Sequence, residues 1–150
     1  MNNDDIVDTL NKLVETCKDG EYGFRLCSEH LRDAGMRQAF AHRASECGQA
    51  AAELQSIVLR FGGTPEDGGT AGGALHRGWV AVKGSLTGYT DVAILEETER
   101  GEDEALAAYR QALALALPAD IREVVERQFE GAKTNHAHVR TLRDQARAAA

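Results

Sequence analysis

The sequence predicts an all-α fold, a four-helix bundle forming a single domain over residues 1–150, with a long crossover between its second and third helices. Apolar residues recur at spacings of three and four along four long segments, which is the period of one helix face. The composition is rich in helix-favouring Ala, Leu, Glu, Arg and Gln, with 43% hydrophobic residues, 5% aromatics and two prolines, a balance that suits a helical domain better than a sandwich or a disordered chain. The second and third segments are separated by 28 residues, Gly62 to Tyr89, holding nine of the fifteen glycines. Neighbouring antiparallel helices need far fewer.

The first helix carries Ile6, Leu10, Leu13, Cys17, Glu21, Phe24, Cys27 and Leu31 on one stripe. The second, from about residue 34 to 61, carries Phe40, Ala44, Cys47, Ala51, Leu54, Val58 and Phe61, and stops at Gly62-Gly63-Thr64-Pro65, a strong termination signal. Within the connection, residues 74–86 are expected to add a short helix that packs Trp79 and Val82 on the bundle, with His76 as an anchor. The third helix starts after Thr90 as N-cap and runs to Leu117, its stripe reading Val92, Leu95, Glu99, Glu102, Leu106, Tyr109 and Leu113. Pro118, suited to a first helical turn because its missing N–H is not needed there, opens the fourth. That helix runs to about residue 147 with Ile121, Val125, Gln128, Ala132, Asn135 beside His136, Val139, Leu142 and Ala146.

A formal charge of −7, with basic residues interleaved among acids, argues against a nucleic-acid surface, which needs clustered Lys and Arg. No run approaches the ~20 apolar residues of a membrane span, and the acidic start MNNDDIVDTL lacks the blocks of a signal peptide. A cytoplasmic protein is expected. Cys17, Cys27 and Cys47 are odd in number and lack CxxC spacing, so they read as reduced, packed thiols. Nucleophile-elbow, phosphate-loop, dinucleotide and zinc-protease motifs are missing.

The informative feature is a set of polar residues on buried stripes. With the first turn centred near residue 34, Glu21 and Cys47 face each other. With the second turn between Leu117 and Pro118, Glu99 is level with His136 and Glu102 with Lys133. Gly20, Gly23, Gly48, Gly101 and Gly131 fall near the same level, although an interior helical Gly costs roughly 1 kcal/mol relative to Ala. Close helix approach or a local distortion that re-aims ligands would offset that. Several buried carboxylates cannot all stay ionised without a compensating cation. Glu21, Glu99, Glu102 and His136 are therefore candidate ligands for iron, manganese or zinc, with Cys47, Gln128 and Asn135 lining the site.

The stretches KDGEYGF, GALHRGW, ERGED and NHAHVRTLRD resemble a bacterial family of small ferritin-like four-helix-bundle proteins of unknown function, and the resemblance spans essentially the whole chain. It implies the crossover bundle and, for the ferritin-like superfamily at large, a two-iron centre with single Glu ligands on helices one and three and Glu-x-x-His pairs on helices two and four. Here the pairs are broken: Lys133 stands three before His136, and helix two has Glu46 with Gln49. A single metal, or a polar core without one, matches these residues better than an oxygen-activating two-iron site.

The functional expectation is a ferritin-like bundle binding one of those metals in its core, in metal or oxidative-stress handling, and forming a homo-oligomer. The alternative is a metal-free helical interaction or stress-associated protein with a buried polar core and no catalytic activity; a competing reading of Glu99 and Glu102 turns them to solvent, paired with Arg100, Arg110 or a facing Arg. A thiol redox role for Cys47 ranks third. No catalytic residue and no organic cofactor are indicated.

Overall fold

A computed structural model of the protein describes residues 1–69 and 89–150. The short helix expected over 74–86, with His76, Trp79 and Val82, lies outside the described residues. Four helices are described: α1 Asn3–His30, α2 Ala34–Arg60, α3 Asp91–Leu113 and α4 Ala119–Ala149. Local chemistry sets their ends. Asn2 caps α1 by accepting from the Asp5 N–H while the Asp5 side chain accepts from the Asn2 N–H, a reciprocal capping box. Asp33 caps α2 at Met36 and Thr90 caps α3 at Ala93, satisfying N–H groups that have no partner inside the helix. Gly62, at φ 76°, turns the chain out of α2 in a conformation that favours glycine.

α3 ends at Leu113, short of the expected Leu117. Pro118 is the N-cap of α4 and disfavours helical backbone at the residue before it. Arg122 reaches back from α4 to donate to the Leu113 carbonyl at 3.0 Å and the Leu115 carbonyl at 2.5 Å, so the α3 terminus is satisfied without another turn.

The connectivity follows from both ends of the bundle. The Asp91 carboxylate accepts from the Arg32 and Asp33 N–H groups at 2.9 and 3.2 Å, which places the start of α3 against the α1–α2 turn. At the opposite end, Asn11 of α1 holds the chain that leaves α2, donating to the Thr64 carbonyl at 3.0 Å and accepting from the Glu66 N–H at 2.9 Å. The start of α3 thus lies at the opposite end of the bundle from the end of α2, and α1 runs antiparallel to both α2 and α3. A short-loop up-down arrangement would start α3 at the other end.

The core is in two parts. Leu10, Leu13, Val14, Leu54, Ile121 and Val125 fill the end nearest the start of α1, and Phe24, Phe40, Ile94, Leu95 and Val139 fill the end nearest the α1–α2 turn. Phe24 and Phe40 meet edge to face at 5.3 Å. Each such side chain contributes about 1.5–3 kcal/mol of burial free energy. Glu21, Asn135 and His136 are only half-buried, while the apolar parts of the predicted stripes largely hold except in the first half of α3. There the buried residues are Ile94, Leu95, Glu97 and Thr98, while Val92 and Glu99 are half-buried. Thr98 enters the core because its hydroxyl donates to the Ile94 carbonyl at 2.8 Å, which hides its polarity.

Candidate functional site

Between the two core halves lies a chamber of about 930 Å³, within the range of small-ligand sites. All four helices line it, and its walls include Cys17, Arg43, Cys47, Glu102, Tyr109 and Gln128. The helical glycines contribute in two ways. At Gly20 a Cβ would sit 3.0 Å from Cys47 Sγ, a tight approach of α1 on α2 that glycine accommodates; beside Gly101 and Gly131 nothing lies within 4 Å. The latter two leave open space in the chamber wall, where close helix approach does not account for them.

Glu102 is the principal carboxylate of this chamber. It is 7% exposed, and Asn135 Nδ2 donates to its Oε2 at 2.7 Å. Its Oε1 is buried and has no hydrogen-bond partner among the described residues. Burial pushes the carboxyl up to about 7, with the Asn135 hydrogen bond, the Arg43 charge and His136 acting in the other direction. The physical cause is desolvation of an anion in a poorly solvated interior. Arg43, half-buried with its Nη1 3.7 Å from Glu46 Oε1, has a buried Nε that likewise lacks a hydrogen-bond partner.

One hydrogen-bonded chain beside Glu102 joins all four helices. Tyr109 Oη donates to Gln128 Oε1 at 2.9 Å, which leaves the Cys17 thiol as donor to the same hydroxyl at 3.2 Å. Gln128 Nε2 donates to Glu53 Oε1 at 2.8 Å, and Arg127 donates to the other Glu53 oxygen at 2.5 Å. Glu53 lies below the usual carboxylate range because, against the opposing effect of burial, the Gln128 and Arg127 hydrogen bonds favour its ionised form. The three thiols are held protonated by desolvation, Cys17 and Cys27 pushed up to about 11 and Cys47 to about 12. Such groups are poor nucleophiles at neutral pH.

The other candidate ligands face different partners. Glu99 pairs with Arg143 and lies 3.7 Å from Arg140. His136 Nε2 bonds Asp103 Oδ1 at 2.7 Å, so it is level with Asp103, about one turn beyond Glu99. Glu21 is half-buried, lies 3.5 Å from Lys18 Nζ, and rests its carboxylate over α2 where Gly48 has no side chain. Asn135 and Gln128 do line the Glu102 neighbourhood, as does Cys47. A two-metal carboxylate centre needs several inward Glu and His side chains around one point. Among the described residues no three His, Cys, Asp or Glu side chains are so grouped, and the donor set as placed does not fit such a centre.

Sequence reasoning passed over Arg43, placed Tyr109 on the buried stripe without a role in the site, and read Glu53 as a solvated or salt-bridged acid off the stripe, which its pair with Arg127 matches. The signal for Arg43 was present: it lies three after Phe40 and four before Cys47, the spacing that puts it on their face. Glu53 carries no such signal, because only the Gln128 bond across the bundle distinguishes it from a solvated acid.

No curated protein sequence matches the chain. Among solved structures, the tetragonal form of Mycobacterium smegmatis Dps, a ferritin-like four-helix bundle, matches with a TM-score of 0.74 at 15% identity, covering 93% of this chain and 86% of that one. At that identity the likeness is one of fold. Among the described residues no helix is long and apolar enough to cross a membrane. Residues 5–115, most of the chain, match the family model described as a domain of unknown function (DUF2383), and the protein belongs to that family.

Proposed function

We propose that the protein works by binding, and that its chamber takes a small cation anchored on Glu102. The observation that carries this is Glu102 itself, a chamber-wall carboxylate whose Oε1 is buried without a hydrogen-bond partner while Asn135 fixes the other oxygen. A buried acceptor left without a donor costs about 1–3 kcal/mol, and a bound cation supplies the missing partner. The acids on the chamber wall, among them Asp19, Glu46, Glu53 and Glu104, outnumber Arg43, Arg100 and Arg127, which favours a positive guest. Binding rather than turnover is favoured because the thiols are held protonated.

Two sources share this chemistry, a divalent metal such as manganese, iron or zinc, and a small organic amine. For a metal, Glu102 is the anchor, and Glu21, Glu99 and His136 are recruited only by leaving Lys18, Arg143 and Asp103. A homo-oligomer in the cytoplasm is the setting we propose for it.

The test is thermal unfolding at pH 8 of the wild type and Glu102→Gln, each with Mn²⁺, Zn²⁺ or putrescine and with chelator. Stabilisation of the wild type that is absent in the variant supports the reading, since a ligand bound only to the native state stabilises it by mass action. Which probe stabilises identifies the source. No stabilisation by any probe, or equal stabilisation of both proteins, contradicts it.

A further inference from the structure

Cys17 of α1 and Cys47 of α2 both stand on the chamber wall where the two helices pack. Cys47 Sγ lies 3.0 Å from the position a Gly20 Cβ would occupy, and Gly20 is one turn along α1 from Cys17, on the same side of the helix. Both cysteines are buried, 5% and 6% exposed, both line the chamber, and both are free thiols. Arg43 is one turn before Cys47 on α2; its charge acts on both thiols, and its buried Nε lacks a hydrogen-bond partner. The site therefore combines two soft donors with a nearby guanidinium, which also lies 3.7 Å from Glu46 through Nη1 and keeps an unused N–H at Nε.

We propose that Cys17 and Cys47 form a two-sulfur site for a soft monovalent metal ion, with monovalent copper as the class of ligand. Thiolate ligands select such ions over hard divalent cations. The balance requires no oxidant or reductant: two S–H bonds break, two protons leave, two sulfur–metal bonds form, and the copper stays monovalent. The product, two thiolates on one singly charged ion, carries a net charge of −1. Arg43 is placed to offset that charge, which accounts for an arginine whose Nε is buried without a partner. Tyr109 assists on the other side, because its hydroxyl, now accepting from the Cys17 thiol, can turn its proton toward the thiolate. Cys27 takes no part: it lines the chamber but packs with Phe24, Phe40 and Val139, its sulfur 3.7 Å from the Thr98 hydroxyl.

This site uses different atoms and a different class of ion from the cation reading for Glu102, although the Glu102 charge also acts on Cys47. The test is anaerobic titration of reduced full-length protein with Cu⁺ buffered by bicinchoninate, on the wild type and the Cys17→Ala, Cys47→Ala, Cys27→Ala and Glu102→Gln variants. One equivalent is expected to bind the wild type, Cys27→Ala and Glu102→Gln, with affinity falling at least 100-fold in Cys17→Ala and Cys47→Ala. Copper X-ray absorption on the loaded wild type gives a readout that does not depend on any variant folding, and two sulfur neighbours are expected. Binding that survives loss of either cysteine, dependence on Cys27, a copper shell without two sulfurs, or no uptake by the wild type would each overturn the proposal.

Discussion

Asn135 of α4 donates to one oxygen of Glu102 of α3 at 2.7 Å and leaves the other oxygen buried without a donor. That half-satisfied carboxyl makes stability depend on pH in a defined direction. Its native pKa is raised by burial to about 7 from an ordinary value of 4.5, so the native state holds the proton more tightly than the unfolded chain. The contribution is therefore fully present below about pH 4.5 and is lost as pH rises through about 7. A shift of that size corresponds to about 3 kcal/mol. Glu102→Gln should remove this slope and raise stability at pH 8 by about 1–2 kcal/mol, since part of the gain is offset by a buried amide donor. Urea unfolding of both proteins at pH 5 and pH 8 checks it.

The Cys17–Tyr109–Gln128–Glu53 chain should behave as one unit. Tyr109→Phe keeps the ring, which stacks on Phe129 at 6.2 Å, but strands the Cys17 thiol and the Gln128 carbonyl oxygen. A loss of about 1–3 kcal/mol is expected in denaturant unfolding. Little further loss should follow when Gln128 is also replaced by Leu, because groups in one network are not additive.

Gly131→Ala and Gly20→Ala should differ in outcome. At Gly131 an added methyl meets open space, whereas at Gly20 it would meet Cys47 Sγ at 3.0 Å. The first change should stabilise by about 1 kcal/mol through helix propensity. The second should forfeit that gain or destabilise. Paired thermal melts in the absence of added cations distinguish them.

The four helices and the crossover were legible because apolar spacing reports which face is buried, and a 28-residue glycine-rich connection is too long for a hairpin. Glu102, Asn135 and Gln128 were legible for the same reason, as polar residues on apolar stripes. The rotation of early α3 was not, since Thr98 reads as polar while its hydroxyl is spent on the Ile94 carbonyl. The level of His136 was not, because it bonds Asp103 through an axial offset of α3 against α4 that no sequence period reports. Glu99 was placed inward by its spacing, whereas Arg143 of α4 takes it at the bundle margin.

The central claim, that Glu102 is a buried carboxyl waiting for a cation, is tested most directly by following its side-chain carboxyl ¹³C resonance through a pH titration, with Glu102→Gln assigning the signal. The account predicts a midpoint near 7 in the protein alone, and a shift to lower pH when Zn²⁺ or putrescine is added, because a cation binds the ionised form. A midpoint near the ordinary 4.5, or a raised midpoint that neither cation moves, would contradict it.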